Sequence, residues 1–210
     1  MIEQGTPEWL MERCGKVTAS RVADILATTK SGPSASRQNY LAQLVAERMT
    51  LTVEPMFTNE AMRWGTEHEP IARAAYEVST GRTVDSCGFI NHPLIDMAGA
   101  SPDGLIDHDG LVEIKCPNTA THLDYMLSAV VPKKYIPQMA WQIICTQREW
   151  CDFVSFDPRL PADLQLFVVR FKPSNDELTA IADRVVEFIA EVDDMVCRLE
   201  NIQANRKASK

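Results

Sequence analysis

An aspartate, a glutamate ten residues later and a lysine two beyond that form a set suited to metal-assisted phosphodiester hydrolysis. Asp103, Glu113 and Lys115 stand at that spacing, within Ser101-Pro102-Asp103-Gly104 and Leu111-Val112-Glu113-Ile114-Lys115. Two carboxylates at a strand edge offer hard oxygen ligands to Mg²⁺, which takes few protein ligands and keeps waters and substrate phosphate oxygens. The ammonium of Lys115, beside such an ion, can position the attacking water or stabilise charge growing on the phosphate. A plainer reading stands beside this one. Pro102-Asp103-Gly104 is also an ordinary turn, because proline presets φ and glycine accepts φ > 0. Glu-x-Lys is common on solvated strand faces. The combination is rarer than its parts, since it needs a fixed spacing and a strand carrying two charges among Leu111, Val112 and Ile114.

Those groups need a hairpin to bring them together. Val112 to Lys115 alternates apolar and charged residues, so Glu113 and Lys115 emerge on one strand face. A turn around Asp107-His108-Asp109-Gly110 can return the chain and set Asp103 beside Glu113. Upstream, Thr6-Pro7-Glu8 reads as a cap, a proline at the first helical position and an acidic first turn, opening a helix through Arg13 that stops near Gly15. Thr18 is expected to cap a second helix with Val22, Ile25 and Leu26. Residues 30–36 read as a Ser/Gly/Pro loop, followed by helical spacing of Tyr40, Leu41, Leu44, Val45 and Met49. Asn59 can cap a helix towards Gly81, with Gly65 and Pro70 predicting a kink or break in its middle.

The period then changes to two. Segments 83–90, 97–101 and 111–116 read as consecutive antiparallel strands, residues 135–146 as a helix, and 151–156 and 166–171 as two more strands. Ser174-Asn175-Asp176-Glu177 opens a long amphipathic helix to about Leu199, with Leu178, Ile181, Val185, Phe188, Ile189, Val192 and Val196 on one stripe. Residues 201–210 lack apolar periodicity and are expected to fray. The order predicts an α/β fold with a mixed five-strand sheet flanked by helices and the candidate site on its central strands.

Composition sets the bounds. At 210 residues the chain fits one domain, and 45% apolar with 24% charged residues is ordinary for a soluble protein. No apolar run approaches the roughly 18 residues of a membrane span. The start, Met1-Ile2-Glu3-Gln4-Gly5, lacks the features of a signal peptide, so a cytoplasmic location is expected. Cys14, Cys87, Cys116, Cys145, Cys151 and Cys197 form no Cys-x-x-Cys pair, which argues against a zinc ribbon and, in a reducing compartment, against disulfides. His68, His92, His108 and His122 show no zinc spacing. A net charge of −8 weighs slightly against nucleic-acid binding, yet local potential rather than total charge decides that.

Ser101-Pro102-Asp103-Gly104 with Glu113-Ile114-Lys115-Cys116-Pro117 resembles the PD-(D/E)xK nuclease motif. With Trp64-Gly65-Thr66-Glu67-His68-Glu69 and Val17-Thr18-Ala19-Ser20, in that family's order, the chain resembles the phage lambda exonuclease family, the YqaJ-like viral recombinases, over roughly residues 8–157. The resemblance implies a restriction-endonuclease-like core in a single nuclease domain, residues 1–210. It implies a processive, Mg²⁺-dependent 5′→3′ exonuclease acting at the ends of linear double-stranded DNA and releasing 5′-mononucleotides. It further implies a homotrimeric ring, phage or prophage encoded in a bacterial host cell, that leaves a 3′-ended strand for a single-strand annealing protein in recombination.

Position by position, the resemblance makes Asp103, Glu113 and the Ile114 carbonyl metal ligands, with Glu69 helping to bind a second ion. It makes Lys115 the catalytic lysine, sets Gln138 near the attacking water, and gives Arg13, Ser20 and Ser101 the 5′-phosphate. Mn²⁺ would suit the same ligands. General chemistry agrees: two ions roughly 3.5–4 Å apart stabilise the entering and leaving oxygens, and an arginine with serine hydroxyls at a helix N-terminus cradles phosphate. Simpler roles remain open. Glu69, before Pro70, also reads as a solvated helix residue, Gln138 as helix surface behind Pro137, Arg13 as a partner of Glu8 or Glu12, and Trp64 as core. Residues 30–37 could separate strands, though their sequence does not say so. A structure-specific endonuclease on the same core would not need the phosphate pocket. A catalytically silent DNA-end-binding scaffold would typically have lost a carboxylate or the lysine.

Overall fold

The computed structural model describes residues 2–30, 32–53 and 58–209. Its elements, in chain order, begin with α1 (Pro7–Glu12), β1 (Val17–Thr18), α2 (Val22–Leu26), β2 (Thr28–Thr29), β3 (Gly32–Pro33), α3 (Ala35–Thr50) and α4 (Glu60–Thr80). There follow β4 (Val84–Asp85), β5 (Ile90–Asn91), β6 (Ala98–Ala100), β7 (Gly104–Ile106), β8 (Gly110–Lys115), α5 (Thr119–Ser128) and α6 (Ile136–Thr146). The chain closes with β9 (Trp150–Phe156), β10 (Leu166–Phe171) and α7 (Asn175–Ala208).

The main sheet has five strands in the order β10-β9-β8-β7-β4, with β8 and β9 parallel and the other neighbours antiparallel. It is the mixed, helix-flanked sheet predicted. Its two faces follow the alternation of β8. Val112 and Ile114 pack with Val154, Phe156 and α4 residues Ala72 and Tyr76, whereas Leu111 packs with Phe153, Tyr125, Met139 and Ile143 under α5 and α6. A third core joins α2, α3 and α7 to the far side of α6 through Tyr40, Leu44, Trp141, Phe188 and Val192.

Several elements differ from expectation. The segment 83–101 is no meander: β4 joins the main sheet beside β7, while β5 and β6 form a separate three-stranded sheet with β1. Period-two patterning cannot tell which sheet a short strand joins. Thr18 ends β1 without capping through its side chain, and a single 3₁₀ turn, Ala19–Arg21, precedes α2. Around residues 30–36 the chain makes the β2–β3 hairpin, and Ser34 then caps α3 by accepting from the Arg37 amide; Ser31 lies outside the described residues.

Helix α4 runs unbroken through Gly65 and Pro70, from an Asn59 cap to a left-handed Gly81. Burial of Ala72 and Tyr76 against the sheet offsets the missing hydrogen bond. Helix α5 was not predicted. Helix α7, opened by a Ser174–Glu177 capping box, continues to Ala208 instead of ending near Leu199, with its last turns exposed.

Candidate active site

The β7–β8 hairpin pairs Gly104 with Val112, Leu105 with Leu111 and Ile106 with Gly110. One step further in the same register, Asp103 stands opposite Glu113. The turn uses a left-handed Asp107, and Arg148 ties it by donating to the carbonyls of Ile106, Asp107 and Gly110. Close packing fixes the strand ends: a Cβ on Gly104 would lie 2.1 Å from Val84, and one on Gly110 2.1 Å from the Trp150 ring. Asp103 Oδ2 accepts from the Ile114 amide at 2.6 Å, which locks the carboxylate onto β8. Arg73 on α4 donates to the Asp103 carbonyl and to Ser86, and pairs with Glu69 at 3.7 Å.

Glu113 is fully buried and yet surrounded by donors. Its Oε1 accepts from Lys115 Nζ and from Gln138 Nε2 at 2.5 Å; its Oε2 accepts from Gln142 Nε2 at 2.6 Å. Pro137 occupies the first turn of α6, where its missing N–H costs nothing. Helix spacing then sets Gln138 and Gln142 one turn apart on the same side.

The pair β1 and β6 is parallel, with Val17 beside Ala98 and Thr18 beside Gly99. Both strands therefore leave the sheet at the same end, and Ser20 and Ser101, just beyond them, line one cavity. Arg13 arrives from the end of α1. Trp9 ties the group together, its indole N–H donating to Ser101 Oγ at 3.0 Å and its ring carrying the Arg13 guanidinium at 3.7 Å. One cavity of about 150 Å³ is lined by Arg13, Ser20, Ser101 and Gln138, together with Gln4, Trp9, Thr18 and Ala19. Gln138 thus joins this cavity to Glu113.

Electrostatics mark the same place. Burial, and then the negative charge of Glu113, push the Asp103 carboxyl well above the usual carboxylate range. Burial likewise raises Glu69, against the pull of Arg73 and Lys115. Desolvation disfavours the charged Lys115, but Glu113 and Asp103 outweigh it and hold the ammonium above its ordinary range. Burial lowers Arg13, whose buried Nε has no hydrogen-bond partner among the described residues. A buried carboxylate pair that one lysine does not fully neutralise fits a hard divalent cation. Among the described residues no three His, Cys, Asp or Glu side chains gather as a ready ligand cluster, and Glu69 stays with Arg73 rather than joining Asp103 and Glu113.

The structure therefore brings Asp103, Glu113, Lys115 and Gln138 into one group and Arg13, Ser20 and Ser101 around one cavity. Sequence reading missed Gln142, Arg73 and Trp9 as parts of the site. Gln138-x-x-x-Gln142 carried a signal in its helical spacing; Arg73 and Trp9 act through contacts distant in sequence. Trp64, on α4, leans on the core below that helix, stacked by His68 and covered by Arg159.

Residues 8–149 match the sequence model of the YqaJ-like viral recombinase domain. The chain is similar to an alkaline exonuclease, LHK-Exo, from Laribacter hongkongensis, at 48% identity over 95% of this chain and 99% of that one, TM-score 0.88. A structure of LHK-Exo in complex with dAMP matches equally well, with the same identity, coverage and TM-score. A phage-related exonuclease from Haemophilus somnus 129PT shares the fold at 14% identity, TM-score 0.70, over 88% of this chain and 96% of that one. No curated protein matches the chain.

Proposed function

The chain belongs to the YqaJ-like viral recombinase family, and from that premise we propose a divalent-cation-dependent exonuclease that degrades linear double-stranded DNA from 5′ ends. Exonuclease activity is the part its 48% identity to LHK-Exo supports directly. The observation that carries the finer reading is the shared cavity: Arg13, Ser20 and Ser101 line it, and so does Gln138, which bonds Glu113. End recognition and strand cleavage are adjacent, one side chain apart. The solved complex of LHK-Exo with dAMP accords with a reaction that releases 5′-mononucleotides.

In this reading Asp103, Glu113 and the Ile114 carbonyl hold Mg²⁺, and Glu69, swung from Arg73, helps with a second ion. When bound, the ions supply Lewis-acid stabilisation of the phosphate oxygens. The protein's own groups do the rest. Gln138 commits its amide N–H to Glu113, so its amide oxygen remains to accept from the attacking water. Lys115 donates to the developing charge on the scissile phosphate. Arg13, oriented by Trp9, and the hydroxyls of Ser20 and Ser101 hold the terminal 5′-phosphate. Gripping that phosphate fixes which strand is cut and draws the shortened end forward after each cleavage.

Family membership further supports a single nuclease domain assembled as a homotrimeric ring, phage or prophage encoded. It also supports handing the 3′-ended strand to a single-strand annealing protein. A silent scaffold is disfavoured because Asp103, Glu113 and Lys115 are all present, with Lys115 donating to Glu113 and the Ile114 amide donating to Asp103. With Mg²⁺, linear duplex is expected to disappear while a covalently closed circle of the same sequence survives. Asp103→Ala should bind duplex ends without cutting them. Degradation of the circle would point to an endonuclease, and turnover by Asp103→Ala would remove the site.

A further inference from the structure

Gln142 has no assigned role, yet it is fully buried and is the donor bonded to Glu113 Oε2. The two oxygens of Glu113 are treated differently. Oε1 meets Lys115 and Gln138 on the side of the cavity, where Gln138 is half-buried. Oε2 meets, among the described residues, only Gln142, one helical turn deeper and fully buried. A buried carboxylate oxygen left without a donor is costly, so the carboxylate would turn to find another. The orientation of the amide is fixed too: reversing it would set its oxygen against the carboxylate. In the present orientation the amide oxygen is buried without a partner among the described residues. That unmet acceptor shows that the bond to Glu113 decides how Gln142 is held.

We propose that Gln142 is a positioning residue that pins Glu113 by Oε2, so that Oε1 alone is presented where Lys115, Gln138 and the divalent cation meet. The inference rests on the reading of Glu113 as a cation ligand. Being an amide, Gln142 offers this donor without a charge that changes with pH. It does not itself line the cavity that takes the DNA end; Gln138, one helical turn before it, does. Its loss should therefore free the carboxylate and spare end recognition.

The test is calorimetric titration of Mn²⁺ into the DNA-free protein, with steady-state digestion of 5′-phosphorylated linear duplex in parallel. Gln142→Leu removes the donor at similar volume; Gln142→Met, unbranched and closer in length, is made alongside in case the first fails to fold. Ile143→Val, at the next buried position of α6, reports what a packing defect alone does. In the folded variant of Gln142, Mn²⁺ affinity should fall at least tenfold and kcat by a similar factor. KM for duplex and the preference for 5′-phosphate over 5′-hydroxyl ends should stay within twofold, and Ile143→Val should leave Mn²⁺ affinity unchanged. Unchanged Mn²⁺ affinity and kcat in a folded Gln142 variant would overturn the inference alone. An unsubstituted protein that neither binds Mn²⁺ nor cuts DNA would overturn the reading of the site and this inference with it.

Discussion

Asp103 stands opposite Glu113 across the hairpin, and burial and that neighbouring charge together hold its carboxyl well above the ordinary range. A carboxyl raised in the folded state favours folding below its ordinary value, and that contribution is lost as pH rises through the raised one. Asp103→Asn keeps an acceptor for the Ile114 amide and removes the charge. It should abolish cleavage yet raise the Tm of the cation-free protein, by about 2–4 °C for each kcal/mol gained. The gain should be largest above the raised value and vanish below the ordinary one, as read by thermal melts across pH in chelator. Lys115→Ala should cut kcat by about 10²–10⁴-fold in digestion assays. Arg13→Ala should slow digestion of 5′-phosphorylated ends more than of 5′-hydroxyl ends; equal loss would make Arg13 a support for Trp9. At this scale the sequence was legible where spacing encodes chemistry, as for Asp103, Glu113 and Lys115. It was silent on Trp9 and Arg73, whose partners Ser101 and Asp103 lie far along the chain.

Two strand pairs do most of the positioning. The β7–β8 hairpin faces Asp103 with Glu113, and the parallel β1–β6 pair delivers Ser20 and Ser101 to one cavity. The hairpin was readable from alternation and a turn; the parallel pair was not, since Val17–Thr18 is too short to show a period and its partner is eighty residues away. Helices with a buried apolar stripe, such as α3 and α7, were likewise legible, α7 also from its Ser174 start. Helix α5 was not, because its buried residues His122 and Tyr125 mimic no apolar repeat. Pro70 misled because tertiary burial outweighs a local helix penalty. Gly104→Ala tests the hairpin: its Cβ would meet Val84 and push β4 away from β7. A loss of about 1–3 kcal/mol in denaturant melts is expected, with reduced cleavage as Asp103 shifts.

Across the whole molecule, acidity and nuclease chemistry coexist. The net charge of −8 includes Asp103 and Glu113, and Lys115 and Arg13 set local positive charge close to them. Among the described residues no helix is long and apolar enough to cross a membrane. Exposed Ile71, Val78, Leu94 and Leu127 leave apolar surface on the single chain. Light scattering should give about three times the 23.5 kDa of one chain; a monomer mass would reject the proposed ring.

Polarity is the most exposed part of the proposal, and a single digestion tests it. A linear duplex carries a 5′-phosphate on one strand only, each strand bears its own label, and products are followed with Mg²⁺ and with chelator. Metal-dependent release of mononucleotides from the phosphorylated strand, with its complement left intact, is the predicted result. Loss of the complement first, internal cuts, or equal digestion in chelator would contradict it.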